Sequence, residues 1–258
     1  MINVKLILSY EGTAFFGWQK TKFGPSIEEA LENAISKILK GPIALQAASR
    51  TDAGVHAEGQ VVNFFTQKTD LFKLKRAIQA HLPKTISILS MEEAPINFHP
   101  TLHALAKEYH YYVCLGPVQL PFFRNSSWHV PYLPSIEIMQ EASLQLLGTH
   151  DFSAFCNDRS LSEQDPIKTL YKIQLEALPH QRLKISIVGN HFLYKMVRNI
   201  VGTLVYIGCG KIPSSSLSSI LQSLDRKKAG PTAPAHGLTL HHVRYNLSGS
   251  GGSYDLTK

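Results

Sequence analysis

The chain has 258 residues, enough for one large domain or two smaller ones, and its 44% apolar and 17% charged residues are the balance of a folded globule. No apolar run reaches the length of a membrane span, and the N-terminus lacks a basic stretch leading into an apolar signal segment, so a cytoplasmic location is expected. Cys114, Cys156 and Cys209 are odd in number, far apart and outside any C-x-x-C pair, which indicates neither a disulfide framework nor a zinc site, while the net charge of +7 suits a polyanion such as nucleic acid.

In chain order, Val4 to Tyr10 reads as a strand. Ser26 to Lys40 reads as a helix, because Ser26 and Glu29 form a capping box and Ile27, Leu31, Ala34, Ile35 and Ile38 share one face. Gly41-Pro42 ends it. Strands are expected over Ile43 to Ala48 and Gln60 to Thr66, a helix over Leu71 to His81 and a strand over Thr85 to Met91. The second half repeats the order: strand Lys107 to Leu115, helix Ser135 to Leu147, strands Ile167 to Ala177 and Leu183 to Val188, then a long helix His191 to Tyr206. A shorter helix over Ser216 to Leu224 and a strand over Leu240 to Tyr245 follow. Each half therefore runs β-α-β-β-α-β, and the fold class is α+β with two related halves, mainly antiparallel sheets and a central cleft across which the sheets join. The expected boundaries are 1–100 for the first half, 101–247 for the second, and a Gly/Ser-rich flexible tail over 248–258.

One strip concentrates polar chemistry. SRTDAGVHAEGQVVNF, from Ser49 to Phe64, places Arg50, Thr51, Asp52 and His56 within seven residues, between a strand end and a strand start and beside Gly54 and Gly59. A tight turn with Asp52 bonded to nearby amides accounts for a bare T-D-A-G. The whole strip closely resembles the catalytic motif of the tRNA pseudouridine synthase A family. Further blocks match in order: Tyr10 to Gln19, the F-H-P of Phe98 to Pro100 with A-K-E-Y-H-Y-Y-V after it, His150 to Phe155, Phe192 to Gly202, and Ala229 to Leu238. The chain departs from some relatives in having Lys107 and Glu108 where they carry two arginines before the tyrosine.

The resemblance implies that Asp52 is the essential carboxylate, Arg50 an active-site arginine that contacts substrate, and Tyr109 the active-site tyrosine. It also implies that Arg198 forms an ion pair with Asp52, action on uridines 38, 39 and 40 of the tRNA anticodon stem-loop, and a homodimer. The reaction breaks the N1–C1′ bond of uridine, turns the base and rejoins it through C5. It needs no redox partner and no group donor, which fits a chain with no dinucleotide loop, P-loop or metal-ligand cluster, so neither cofactor nor metal is expected. A lone carboxylate performs it either by attacking C1′ or by assisting proton loss from the ribose. The carboxylate must stay ionised in a dry site, where burial raises a carboxyl pKa and a guanidinium lowers it.

Along the helix from His191, the residues His191, Lys195, Arg198 and Gly202 share one face, with Lys195 toward the RNA backbone. Tyr109 offers a stacking ring for a flipped uridine and a hydroxyl for the C5 proton. Tyr111 shares its strand face, and Tyr111 and Tyr112 read as core residues. Ala229 to Leu238 is expected to be a rigid loop walling the site. His56 is a substrate-contact candidate, but His56, His150 and His236 are assigned no catalytic role. Two rivals remain: a basic RNA-binding module with a replaceable Asp52, and a hydrolase acting at a nucleoside C1′. The hydrolase needs a second carboxylate, for which the strip offers only Glu58.

Overall fold

The computed structural model describes residues 1–157 and 165–245. The expected tail lies outside the described residues. They gather into two compact units, one holding Met1–Leu105 together with 239–245, the other holding the described part of 106–238.

In the first unit, β1 (Ile2–Tyr10) pairs antiparallel with both β3 (His56–Thr66) and β4 (Ile86–Ala94). The short β2 (Gln46–Ala47) also lies against β3. The last strand of the chain, β10 (Leu238–Tyr245), pairs parallel with the start of β3, Thr239 opposite His56. Chain order alone places that strand with the second half. Helix α1 (Ile27–Leu39) begins on Ser26, whose fully buried hydroxyl accepts from Glu29 N–H at 3.2 Å, and ends on Lys40 in the left-handed region just before Gly41. Helix α2 (Leu71–Gln79) is capped by Asp70. Ile27, Leu31 and Ile35 of α1 and Leu74 and Ile78 of α2 are buried, as are Val4, Leu6 and Leu8 at alternate positions of β1. On the other face of β1, Asn3 and Lys5 are also buried but polar, while Ile7 and Ser9 are half-buried. Asn3 binds the carbonyl of Phe98 (2.9 Å) and accepts from Asn63 (2.8 Å), and the Lys5 ammonium pairs with Glu92 and lies 5.9 Å from the rings of Phe98 and Tyr245. The F-H-P block is thus built into the first unit, and the Tyr245 hydroxyl donates to Pro100 O.

In the second unit the strand order is β5 (Ala104–Leu115), β9 (Arg182–Gly189), β8 (Ile167–Leu178), β7 (Gly148–Asp151), all antiparallel. The short β6 (Trp128–Val130) runs parallel to the end of β5. Helices α3 (Ile136–Ser143), α4 (Met196–Gly208) and α5 (Leu217–Gln222) complete it. Each unit is mixed α+β on a mainly antiparallel sheet, as expected. Strands β6 and β7 are too short to have been legible from alternation, and of the strand expected over Ile43 to Ala48 only Gln46–Ala47 forms.

The long helix differs from its expected start. It begins at Met196, because Lys195 adopts φ 60°, a left-handed conformation that no helix interior admits. His191 and Lys195 therefore do not share a helical face with Arg198. Gly202 is not on a solvated face either: a Cβ there would overlap the carbonyl oxygen of Pro231. Close approach of the 229–234 segment needs a residue without a side chain at this point.

Candidate active site

Asp52 sits at the head of a turn in the first unit. Val55 N–H closes back on the Asp52 carbonyl at 3.1 Å, with Gly54 at φ 80° in the position where a type II turn requires a left-handed residue. The flanking residues are locked from several directions. Gln60, fully buried on β3, donates to Ser49 O at 2.6 Å and accepts from Ser49 N–H at 3.3 Å. Thr51 shares a 2.8 Å hydrogen bond between its Oγ1 and the Tyr10 hydroxyl, and its carbonyl accepts from Trp18 N–H at 3.0 Å. Gly17, at φ 91°, lies so close that a Cβ would stand 2.6 Å from Thr51 O. These contacts give the Tyr10 to Gln19 block its function: it is the cradle of the Asp52 loop.

His56 is 7% exposed, and its Nδ1 accepts from Gly12 N–H at 3.1 Å. An accepting Nδ1 carries no proton, so the ring's bond to Gly12 holds the neutral tautomer with hydrogen on Nε2. His56 thereby ties the N-terminal loop to the start of β3. Asp52 is half-buried and Arg50 is exposed on the same loop. Glu58, the second carboxylate a hydrolase would need, is exposed on β3 with its Oε2 2.6 Å from His241 Nδ1.

The second unit carries the other candidates. Tyr109 lies on β5, 6% exposed, with its ring edge-on to Phe192 at 5.1 Å. Two residues on, Tyr111 is fully buried; its hydroxyl donates to Pro234 O at 2.8 Å and its ring occupies the space beside Gly237 that a side chain would need. Burial pushes the Tyr111 phenol far up, against the opposing influence of the Arg198 guanidinium, so it stays a neutral donor. Tyr111 is therefore a pillar for the 229–238 loop. Arg198 stands in the first turn of α4, half-buried, its Nε donating to Ala233 O at 2.8 Å. Lys195 precedes that helix, its ammonium 4.7 Å from the Tyr194 ring centroid.

Three of the matched blocks meet at the buried Asn199. Its amide nitrogen donates to Phe155 O and Asn157 Oδ1, each at 2.6 Å, and its oxygen accepts from Thr232 Oγ1 (2.6 Å) and Arg226 Nη2 (2.9 Å). Arg226 also donates to Gly230 O at 2.8 Å and Thr232 Oγ1 at 3.0 Å, and Thr203 Oγ1 accepts from Gly230 N–H at 2.9 Å. This network fixes the loop whose Ala233 carbonyl holds Arg198. The sequence reading missed Arg226 and Asn199, since the bond that joins them spans 27 residues and the other partners of the Asn199 side chain lie 33 to 44 residues away. His150 bonds Leu147 O at 2.8 Å and packs edge-on to Phe152, a structural placement.

The first unit thus carries a carboxylate on a turn held by its neighbours, and the second carries an arginine and a buried aromatic, each held by contacts of its own. A family model for tRNA pseudouridine synthases matches residues 6–101 and 142–246. The chain is 55% identical over 248 residues to tRNA pseudouridine synthase A 2 of Protochlamydia amoebophila (strain UWE25), covering 95% of each protein. It is 42% identical over 246 residues to tRNA pseudouridine synthase A of Thermoanaerobacter sp. (strain X514), covering 95% of this chain and 100% of that protein. It is 40% identical over 251 residues to the enzyme of the same name from Chlamydia felis (strain Fe/C-56), covering 95% and 92%. This chain belongs to the tRNA pseudouridine synthase family, isomerases that act on uridine in tRNA.

Proposed function

We propose that this protein converts uridine to pseudouridine at positions 38, 39 and 40 of the tRNA anticodon stem-loop, as a cytoplasmic homodimer without metal or cofactor. The observation that carries the reading is the Asp52 turn, held through Thr51, Ser49 and Gly54 by contacts from the N-terminal loop and β3. Such rigidity suits a carboxylate that must meet C1′ in one orientation. Asp52 acts as the catalytic carboxylate, and Arg198 supplies the guanidinium that favours its ionised form. Tyr109 receives the flipped base, with Arg50, His56 and Lys195 as substrate contacts. The net charge of +7 supports a polyanionic substrate, and the internal rearrangement supports the absence of a cofactor. Among the described residues no helix is long and apolar enough to cross a membrane.

The test is to incubate purified protein with unmodified tRNA, with and without chelator, and to map the pseudouridines formed. Conversion confined to positions 38–40, chelator-resistant, and abolished in Asp52→Asn while tRNA binding persists is the expected result. Turnover by the Asn variant removes Asp52 from the mechanism, and conversion at other positions removes the anticodon assignment.

A further inference from the structure

Lys107 is the buried charge that the roles above do not use. It lies on β5 two residues before Tyr109, so both side chains leave the same face of the strand, and it is 6% exposed. Among the described residues its ammonium has neither a carboxylate within ion-pair distance nor a hydrogen-bond acceptor. A buried lysine is ordinarily paired, because an ammonium taken out of water without a partner costs free energy. Its strand partner is Gly189, whose missing side chain leaves room filled by Leu170 and Phe192, and Phe192 is the ring that packs edge-on to Tyr109.

Among the described residues, two basic groups, His191 and Lys168, stand in its neighbourhood. Exposed His191 follows Asn190, whose side chain accepts from His191 N–H, and Lys168 stands on β8. Lys168 is partly neutralised by Asp165, with which it forms an ion pair at 3.9 Å. Burial, with Lys107 and Lys168 nearby, depresses the His191 pKa and so favours a neutral ring. Lys107 itself is pushed down to about 8 by burial. A largely buried positive centre is thus kept beside the aromatic pair, with no carboxylate among the described residues within ion-pair distance.

We infer that Lys107 binds a phosphodiester of the RNA substrate next to the nucleotide that Tyr109 receives, the substrate bringing an anion that none of the described residues supplies. A neutral lysine at the same position would leave the phosphate unpaired, so the group must take up or hold a proton when RNA binds. The inference rests on the synthase reading for the identity of the polyanion, and nothing else in it depends on turnover.

The experiment compares wild type, Lys107→Met and Lys107→Arg for binding to an unmodified tRNA transcript across salt and pH, with single-turnover conversion at saturating enzyme. Lys107→Met should bind about tenfold more weakly or worse, and the slope of log K against log salt should be shallower by about one unit. Any loss of conversion should accompany that loss of affinity. Wild-type affinity should fall as the pH rises past about 8, where free Lys107 loses its proton. The arginine variant should restore the slope and keep its affinity through that range, because guanidinium does not titrate there. Should the methionine variant fail to fold, the wild-type and arginine pH curves still decide: identical curves overturn the inference. Unchanged affinity and slope in Lys107→Met also overturn it. So does a loss confined to the saturated conversion rate, which would place the charge on the detached base instead. Wild-type protein that binds tRNA but forms no pseudouridine sinks the synthase reading while leaving the binding comparison intact.

Discussion

Arg198 and Ala233 exchange two hydrogen bonds: the arginine Nε donates to the Ala233 carbonyl at 2.8 Å, and Ala233 N–H donates to the Arg198 carbonyl at 3.1 Å. A side-chain contact and a backbone contact therefore fix the same pair of residues. The plane of the guanidinium is set by the loop between Ala229 and Leu238, and its Nη groups are aimed by the backbone.

That aim predicts the behaviour of Arg198→Lys. The ammonium keeps the charge but has no Nε to give to Ala233 and no planar fork. Turnover should fall by about a hundredfold, the scale for loss of one oriented electrostatic group, with the unfolding midpoint little changed. Release of tritium from C5-labelled uridine in tRNA measures it. A near-normal rate would show that the orientation of the group is unimportant.

Arg226 should matter through Arg198 and through stability together. Truncation to alanine strips donors from Asn199 Oδ1, Gly230 O and Thr232 Oγ1. Loss of a charge-assisted network of this kind costs about 2–3 kcal/mol. Urea denaturation should show that loss, and amide exchange should accelerate in the 229–234 segment. Unaltered exchange there would mean that the loop holds itself.

Gly202→Ala tests the same loop from the helix side. The added methyl would overlap the Pro231 carbonyl oxygen, so the loop must move away from α4. A destabilisation of about 1–3 kcal/mol is expected from overpacking. Because Ala233 moves with Pro231, turnover should drop more than folding does. Alanine tolerated with full turnover would show that the approach is looser than this.

For Tyr109 two roles separate. A stacking ring survives Tyr109→Phe, whereas Tyr109→Leu loses the aromatic face, a change worth about 1–3 kcal/mol per stacked base. If the hydroxyl removes the C5 proton, the phenylalanine variant should stall after the glycosidic bond has broken. We expect that stall, read as slow single-turnover conversion at saturating enzyme. Wild-type rates would leave Tyr109 as a stacking residue only.

The buried Lys107 sets a pH dependence of stability with a definite sign. Its folded pKa, lowered to about 8, lies below the unfolded value of 10.5. Between those values the unfolded chain binds more protons, so stability rises with pH and the penalty present below about pH 8 is relieved. The full penalty corresponds to roughly 3 kcal/mol at 1.36 kcal/mol per pKa unit. Lys107→Met should therefore be more stable than wild type at pH 7, with the difference shrinking toward pH 10, as followed by urea midpoints. A methionine variant that is less stable at pH 7 would mean that the ammonium is better solvated than its burial implies.

How far the sequence could be read depended on the range of the interactions involved. The cap at Ser26 and the stop at Lys40-Gly41 are set within one helical turn, and α1 forms almost as expected. The Asp52 strip could be singled out because its residues are contiguous. The expected start of the long helix failed for a local reason of another kind: nothing in the letters His191 to Lys195 forbids a helix, and the left-handed turn at Lys195 forms only in the packed chain.

By itself the sequence determined most of the helices and the longer strands, where the carboxylate loop lies and to which family the chain belongs, because periodicity, caps and motifs are properties of neighbouring residues. Only the tertiary structure decided that β10 pairs with β3, although Thr239 follows its partner His56 by 183 positions. It also decided that Arg226 clamps Asn199, and that Lys107 is largely buried with no ion-pair partner among the described residues. Alternation reports that a side chain leaves one face of a strand. What waits on that face is set by residues brought there from elsewhere in the chain, and their packing fixes both the burial and the charge that the side chain meets.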